Sequence, residues 1–453
     1  MIRKFLQRVF AKTPAQKPLG APAILKRAEH GVGRERISAC AVKITSGLQA
    51  QGHSAFVVGG AVRDLLLGRD PKDFDVATSA NPEQVRAVFR RSRIIGRRFR
   101  LVHVMCGADT VEVATFRGAA EVAAGSALNA DEHGRILRDN VFGSQQEDAA
   151  RRDFTINAMF YNPATEEILD YHDGYADLQA MTLRVIGEPS QRYREDPVRM
   201  LRAVRLSAKL GMTIADATRS PIAELAPLLR HVPTARVFDE MLKLLLSGHA
   251  AECITRLRDE GLHHGLLPML DVILEQPMGE RFVMAALKAT DARVLAEAPV
   301  SPGFLFAALL WHEVLAAWNA AQQAGTKSAP ALFVAMDQVI DSQAEKLAIP
   351  RRFGVTMKEL WTLQARLLNR SGRRPYRMIE HPRFRAALDF LVLRCASGEV
   401  EPELGEWWQR FAEANEGERA SMLLSDTEPK RRRRRRSKKP ANVEAAPSEP
   451  PEQ

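Results

Sequence analysis

The chain has 453 residues, 45% of them hydrophobic and 26% charged, and a formal net charge of +10 at pH 7. That length buries a large core and suits two or three domains. No apolar run approaches the ~20 residues a membrane-spanning helix needs, and the four cysteines (Cys40, Cys106, Cys253, Cys395) show no CxxC or HxxxC grouping, which argues against a zinc site or a disulfide framework and suits a reducing cytoplasm.

Residues 1–34 read as a flexible basic lead-in, with Pro14, Pro18 and Pro22 spaced through it. Its start, MIRKFLQRVFAKTPAQKP, is basic and weakly amphipathic and lacks the apolar core of a signal peptide, which leaves a weak peripheral membrane contact open. A helix is expected over 34–51, closed by Gly52, then a strand at 55–58 and a helix over 61–67 ending at Gly68. A second strand covers 74–77. Asn81 can cap the next helix, 82–90, with Pro82 in its first turn and Glu83 at the positive end of its dipole. Strands at 101–105 and 111–116 pair across a turn holding Gly107. Residues 118–144 are small, polar and glycine-bearing, and read as a mobile loop. Strands return at 158–161 and 168–170, and the mixed pattern stops near Gly187.

Beyond Asp196 the apolar residues recur at intervals of three and four, as at Leu201, Val204 and Ala208, and helices continue to about residue 411. Residues 426–453 are proline-rich and charged, so they read as disordered. Within them KRRRRRRSKK, 430–439, holds nine cations in ten residues. Removing those nine from +10 leaves +1, so the basicity is a tail on a nearly neutral fold. A run of like charge suits a polyanion with strong salt dependence, and Arg431, Arg432, Arg433, Arg434, Arg435 and Arg436 are candidate RNA contacts. The plainer alternative is a solubilising end. The plan is therefore α+β: a small head with a mixed sheet (35–187), an all-helical neck (188–250) and body (251–425), and a basic tail.

Four segments carry chemistry. In FVVGGAVRD, Gly59 and Gly60 follow a strand, let the backbone approach a phosphate and open a helix whose N–H groups face it; Arg63 lies one turn further. In KDFDVAT, Asp73 and Asp75 are two apart, so on a strand they share a face and repel unless a cation or water separates them. Mg²⁺, a hard ion shared with substrate phosphates, is the natural partner. Glu112 alternates with Val111 and Val113 and can join the same cluster, where acids on neighbouring strands suit two-metal phosphoryl transfer. In RRDFTINAM, Arg152 can hold a triphosphate and Asp153 can join the metal cluster or meet a ribose; a structural Arg152–Asp153 ion pair is the competing view. In REDPVRMLRAVR, Asp196 can cap a helix with Pro197 at N1, or Asp196 and Arg199, three apart, can read a base. A carboxylate accepting from an exocyclic amine and a guanidinium donating to the neighbouring ring nitrogen match adenine and cytosine equally and reject uracil. Arg202 and Arg205 drift by ~60° per step on a helix, so they are expected to leave that face for phosphates or RNA.

These four elements, over about residues 50–210, resemble the class II nucleotidyltransferases, which include tRNA CCA-adding enzymes and bacterial poly(A) polymerases. The resemblance implies a polymerase-β-like head and template-free addition of nucleotides to an RNA 3′ end. It also implies Mg²⁺ (Mn²⁺ as an alternative), with Asp73 and Asp75 as its ligands. The nucleotide would be held by Gly60, Arg63, Arg152, Asp196, Arg199, Arg202 and Arg205, and the third acid is Asp153 or Glu112. RIIGRRFRLVHV, 93–104, looks like a poly(A) polymerase signature, and six of the eleven residues 90–100 are arginine, with Arg97, Arg98 and Arg100 as candidate RNA contacts. The resemblance then implies ATP as substrate and RNA 3′ ends as partners, in mRNAs, small RNAs or tRNA precursors. It further implies a role in marking RNA for decay, possible contacts with RNA-degradation enzymes or RNA chaperones, and a monomer in the cytoplasm. The rivals are a CCA-adding enzyme and an RNA-binding adaptor with a dead site.

Overall fold

The computed structural model describes residues 20–96, 100–118, 141–263, 277–344 and 349–425. Eight strands form the head's sheet: β1 (Ala23–Leu25), β2 (Ala55–Val58), β3 (Asp75–Thr78), β4 (Ser92–Ile95), β5 (Leu101–Cys106), β6 (Asp109–Thr115), β7 (Met159–Asn162) and β8 (Glu167–Asp170). Their order is β1-β8-β7-β2-β3-β6-β5-β4. Only β3 and β6 run parallel; the other neighbours are antiparallel. A mixed sheet with one parallel pair near its centre needs a crossover, here supplied by the helix Pro82–Val88 and the β4–β5 hairpin.

Side chains alternate across the sheet. Ala55, Val57, Val76, Val113 and Tyr161 face the main core with helix α1 (Ala39–Gln49). Phe56, Val58, Ala77 and Phe160 face the other way and form a small second core with Phe116 and Ala149. The Phe56, Phe116 and Phe160 rings lie 6.0–6.4 Å apart, and this aromatic pad floors the face on which the candidate acids sit. Around the sheet lie α2 (Gly60–Leu66), α3 (Pro82–Val88) and α4 (Gln145–Arg151). Asn81 and Gln84 form the capping box of α3, and Ser144 and Glu147 that of α4.

The neck begins with α5 (Pro189–Glu195) and α6 (Val198–Leu210), followed by α7 (Thr234–Leu245). Helices then run to Met422. The body's core is aromatic: Trp311, Trp361 and Trp408 are fully buried, and each indole N–H is satisfied, by Glu399, the Ala307 carbonyl and the Leu367 carbonyl. Among the described residues no single helix is long and apolar enough to cross a membrane.

Three expectations change. Residues 23–25 are a strand, not lead-in: Ile24 pairs with Leu169 and closes the sheet's edge. Residues 92–95 are also a strand, where only an arginine track was read. In Ser92-Arg93-Ile94-Ile95 two polar residues precede two apolar ones, so neither the alternation nor the apolar run that marks a strand is present. Finally, Cys40 and Cys106 are joined in a disulfide, against the expectation of none. They lie 66 residues apart, and spacing says nothing of a helix packing on a hairpin's end. The basic start (1–19), Arg97, Arg98 and the tail arginines lie outside the described residues, as does most of the 118–144 loop.

The loop carrying Asp153 depends on one glycine. A Cβ at Gly174 would stand 2.2 Å from the Thr155 carbonyl oxygen, and Thr155 itself donates to buried Asp177 at 2.7 Å. Gly174→Ala should therefore cost about 1–3 kcal/mol by overpacking, read as a lowered melting temperature, with loss of activity at temperatures where the fold persists.

Candidate active site

One row of residues crosses the sheet face. Register places Phe160 opposite Val58, Val58 opposite Asp75, Asp75 opposite Glu112, Glu112 opposite His103 and His103 opposite Arg93. Partners in register point the same way, so this row is apolar at one end, anionic in the middle and basic at the other. Asp75 opens β3, and Glu112 stands beside it on β6, where it also meets His103 at 3.8 Å. Asp75 is reached by solvent yet set within a cleft. Its lost hydration, then the negative charge of Glu112 and that of Asp73, push its pKa up to about 6, against the pull of Arg152. Asp73 is exposed, two residues before it, outside the cleft lining.

The glycines meet this acid. Gly59 has φ +74° and ψ −139°, a conformation that favours glycine. A Cβ there would stand 3.7 Å from Arg152 Nη1 and 3.8 Å from Asp75 Oδ2, so loop, acid and guanidinium converge. Arg152 sits 5.0 Å over the Phe160 ring and donates to Asp148 at 2.9 Å. Arg63 is buried and committed elsewhere: two of its nitrogens donate to Asp64 and a third to Asn157 at 2.7 Å.

The opposite wall is the neck. Asp75, Glu112, Arg117, Arg151, Arg152, Arg192, Glu195, Asp196, Arg199, Arg202 and Arg236 line one cleft of ~660 Å³. An adjoining one of ~430 Å³ shares Asp75, Arg152, Asp196, Arg199 and Arg202, and adds Gly59, Gly60, Arg63, Asp153, Arg205 and Lys209. Asp196 is not a side-chain cap: α6 begins after Pro197 without a capping side chain. Its Oδ2 accepts from Arg236 at 2.6 Å, while Oδ1 is buried without a hydrogen-bond partner. Arg199 donates to the Arg192 carbonyl at 2.7 Å. Asp153 pairs with Arg202 at 2.5 Å, not with Arg152, and accepts from the Phe154 N–H and from Asn157. Burial opposes the charge of Asp153, but Arg202, those donors and Arg199 outweigh it and hold its pKa below the usual range. Arg202 and Arg205 do not leave the site as helical drift suggested; both line the second cleft, and Arg205 lies 3.6 Å from Glu240. Arg100 lines neither cleft and pairs with Glu83.

Sequence reasoning missed Arg236, Arg192 and Asp148. Arg192 donates to the Arg151 and Arg152 carbonyls, both at 2.7 Å, and so ties neck to head. A signal existed for Arg236: a cation in the first turn of α7 opposes the helix dipole and calls for an anion elsewhere.

A metal ion fits this donor set in part. Among the described residues no three His, Cys, Asp or Glu gather closely enough to hold an ion alone. Mg²⁺ typically uses one or two carboxylates and completes its shell with phosphate and water oxygens, which the Asp75–Glu112 pair beside Gly59 allows.

Comparison with known proteins settles the family. The "Poly A polymerase head domain" family matches residues 55–184, "Probable RNA and SrmB- binding site of polymerase A" matches 211–274, and "Polymerase A arginine-rich C-terminus" matches 324–440. Poly(A) polymerase I of Salmonella typhi is 44% identical over 432 residues, covering 93% of this chain and 92% of that one. The chain belongs to the poly(A) polymerase family. The related CCA-adding enzyme of Geobacillus thermodenitrificans is 39% identical over 49% of this chain and 53% of its own. The crystal structure of the Bacillus stearothermophilus CCA-adding enzyme in complex with CTP superposes with a TM-score of 0.54 at 28% identity, covering 82% of this chain and 80% of that one. This poly(A) polymerase family member thus has a head and helical body of the kind expected from its sequence.

The raised pKa of Asp75 has a consequence for stability. An acid whose folded pKa exceeds its unfolded value loses the fold stability as pH climbs from the unfolded value, 3.8, through about 6. Without divalent ions, Asp75→Asn should melt above the wild type at pH 7.5, and the gap should close as pH falls towards 4.

Proposed function

We propose that this chain adds AMP from ATP to RNA 3′ ends without a template and releases pyrophosphate, acting in the cytoplasm. The observation that carries this reading is the Asp75–Glu112 pair beside Gly59, facing Asp196 and Arg199 across one cleft. The preference for poly(A) synthesis over CCA addition rests on the extent of resemblance: nine tenths of both chains for the poly(A) polymerase, about half for the CCA-adding enzyme.

The triphosphate lies along the Gly59–Gly60 turn, where backbone N–H groups and Arg152 meet its charge. Arg202 and Arg205 extend the cationic wall, and Arg63 holds the turn through Asp64 and Asn157. Asp75 and Asp73, with Glu112 in preference to the already paired Asp153, would hold the divalent ions. Such ions, when bound, lower the pKa of the attacking hydroxyl and steady charge on the leaving pyrophosphate. Asp153 keeps Arg202 in place. Asp196 Oδ1 accepts from the adenine amine, and Arg199 donates to ring N1; Arg236 holds the other carboxylate oxygen. Removing either of the pair leaves a buried polar group unmatched, which discriminates strongly between bases.

Asp75→Ala should lower AMP incorporation by about 10²-fold or more, measured with a short RNA primer; a near wild-type rate would refute the acid assignment. Arg199→Ala should lose most of its preference for ATP over UTP. With tRNA lacking its 3′ end, separate ATP and CTP decide between the readings: long A-only tails on generic RNA support this one, CTP incorporation the CCA-adding alternative.

A further inference from the structure

The body holds a second basic feature, far along the chain from the cleft residues. RLLNRSGRRPYR, 366–377, places Arg366, Arg370, Arg373, Arg374 and Arg377 within twelve residues. Helix α8 (Arg351–Leu367) ends there and α9 (Arg374–Ile379) begins. The turn between them is built, not loose. Asn369 Oδ1 accepts from the Ser371 N–H at 3.1 Å and from its hydroxyl, and Gly372 takes φ +62°. Pro375 and Met378 are buried beneath α9, and the Tyr376 ring packs on Phe411 at 5.5 Å. Apolar side chains therefore fix the turn from below, and the arginines point outward.

Arg366, Arg373, Arg374 and Arg377 are exposed, and Arg370 is half-buried. None of the five has an ion-pair partner among the described residues, whereas neighbouring Arg383 pairs with Glu359 and Arg385 with Asp389. The nearest acid in sequence is Glu380, which is exposed. Five uncompensated guanidinium groups on one turn repel each other, and a fold otherwise near neutral has no structural use for them.

A second observation bears on what covers them. Leu424 bridges to Ser371 and donates its N–H to the Arg370 carbonyl at 3.0 Å. Met422 is held by Trp407 Nε1 at 3.0 Å. The end of the body is thus pinned against this same turn, and the basic run 430–439 starts only a few residues later in the sequence.

We propose that the 366–377 turn is a docking surface for the phosphodiester backbone of the RNA substrate, upstream of its reacting 3′ end. Guanidinium forks fit phosphate oxygens in pairs. The one aromatic ring within 366–377, Tyr376, is engaged with Phe411, so this turn reads charge and not bases. RNA long enough to span cleft and turn is held at both; a short primer is held at the cleft alone.

The inference rests on the RNA-extending reading, and its test is kept separate by measuring binding without ATP. In the full chain, Arg366→Ala/Arg373→Ala/Arg374→Ala/Arg377→Ala should weaken binding of a 40-nucleotide RNA at low salt by about tenfold or more. The slope of log Kd against log salt should fall by about 2–3, at ~0.7 per single-strand phosphate contact. Extension of a hexanucleotide should keep its KM and kcat, while KM for the long RNA rises. The matching four lysine substitutions keep the charge and should retain most of the binding. Unchanged long-RNA affinity and slope would overturn the proposal, whether or not the variant also loses binding to vesicles containing anionic phosphatidylserine. So would an equal loss for the hexanucleotide. A wild-type chain that binds RNA but extends nothing would defeat the proposed function and leave this surface to the binding result.

Discussion

Two carboxylates side by side on parallel strands organise this site. Asp75 and Glu112 occupy matched positions on β3 and β6, the one parallel pair in the sheet. Their mutual repulsion, in a cleft that strips hydration from Asp75, is unfavourable in isolation, and only a cation can turn it to advantage. The positive residues around the cleft do not cancel the pair directly. Arg152 is drawn to Asp148, Arg202 to Asp153 and Arg236 to Asp196. The wall of arginines is thereby stabilised in the free protein and still presents donors to an incoming polyanion.

The head and neck are held in relation by polar ties as well as by core. Arg192 spans from α5 to the last carbonyls of α4 and its successor, Arg152. Its burial pushes its pKa down to about 10, still well above neutrality, so the tie keeps its charge under ordinary conditions. Phe160, part of the aromatic pad with Phe56 and Phe116, lies under Arg152, so packing on the acids' own face positions a cation beside them. A site whose donors are each fixed by a second contact suffers little reorganisation when charge develops.

Much of this was legible from residue order. Strand 55–58 and the helix after Gly59 were read to within a residue, because four buried apolar residues followed by glycines admit few structures. The alternation around Glu112 set its face of the strand by pleat, but the register that brings it beside Asp75 belongs to the sheet, and Asp73 falls before β3 begins. The edge strands β1 and β4 escaped because Ala-Ile-Leu and Ser-Arg-Ile-Ile are too short to establish a period. The disulfide escaped because it joins a helix to a hairpin end that no local pattern brings together.

By itself the sequence determined the α+β plan, the order of the four motifs and the chemical types present in the cleft, since those follow from local periodicity and residue chemistry. The tertiary structure decided the pairings. It separated Arg152 from Asp153, gave Asp153 to Arg202, turned Arg63 inward to Asp64 and Asn157, and brought Arg236 to Asp196 from forty residues away. The physical reason is that a charged side chain takes whichever counter-charge the packed backbone sets nearest. That distance depends on how helices dock against a sheet, not on spacing along the chain.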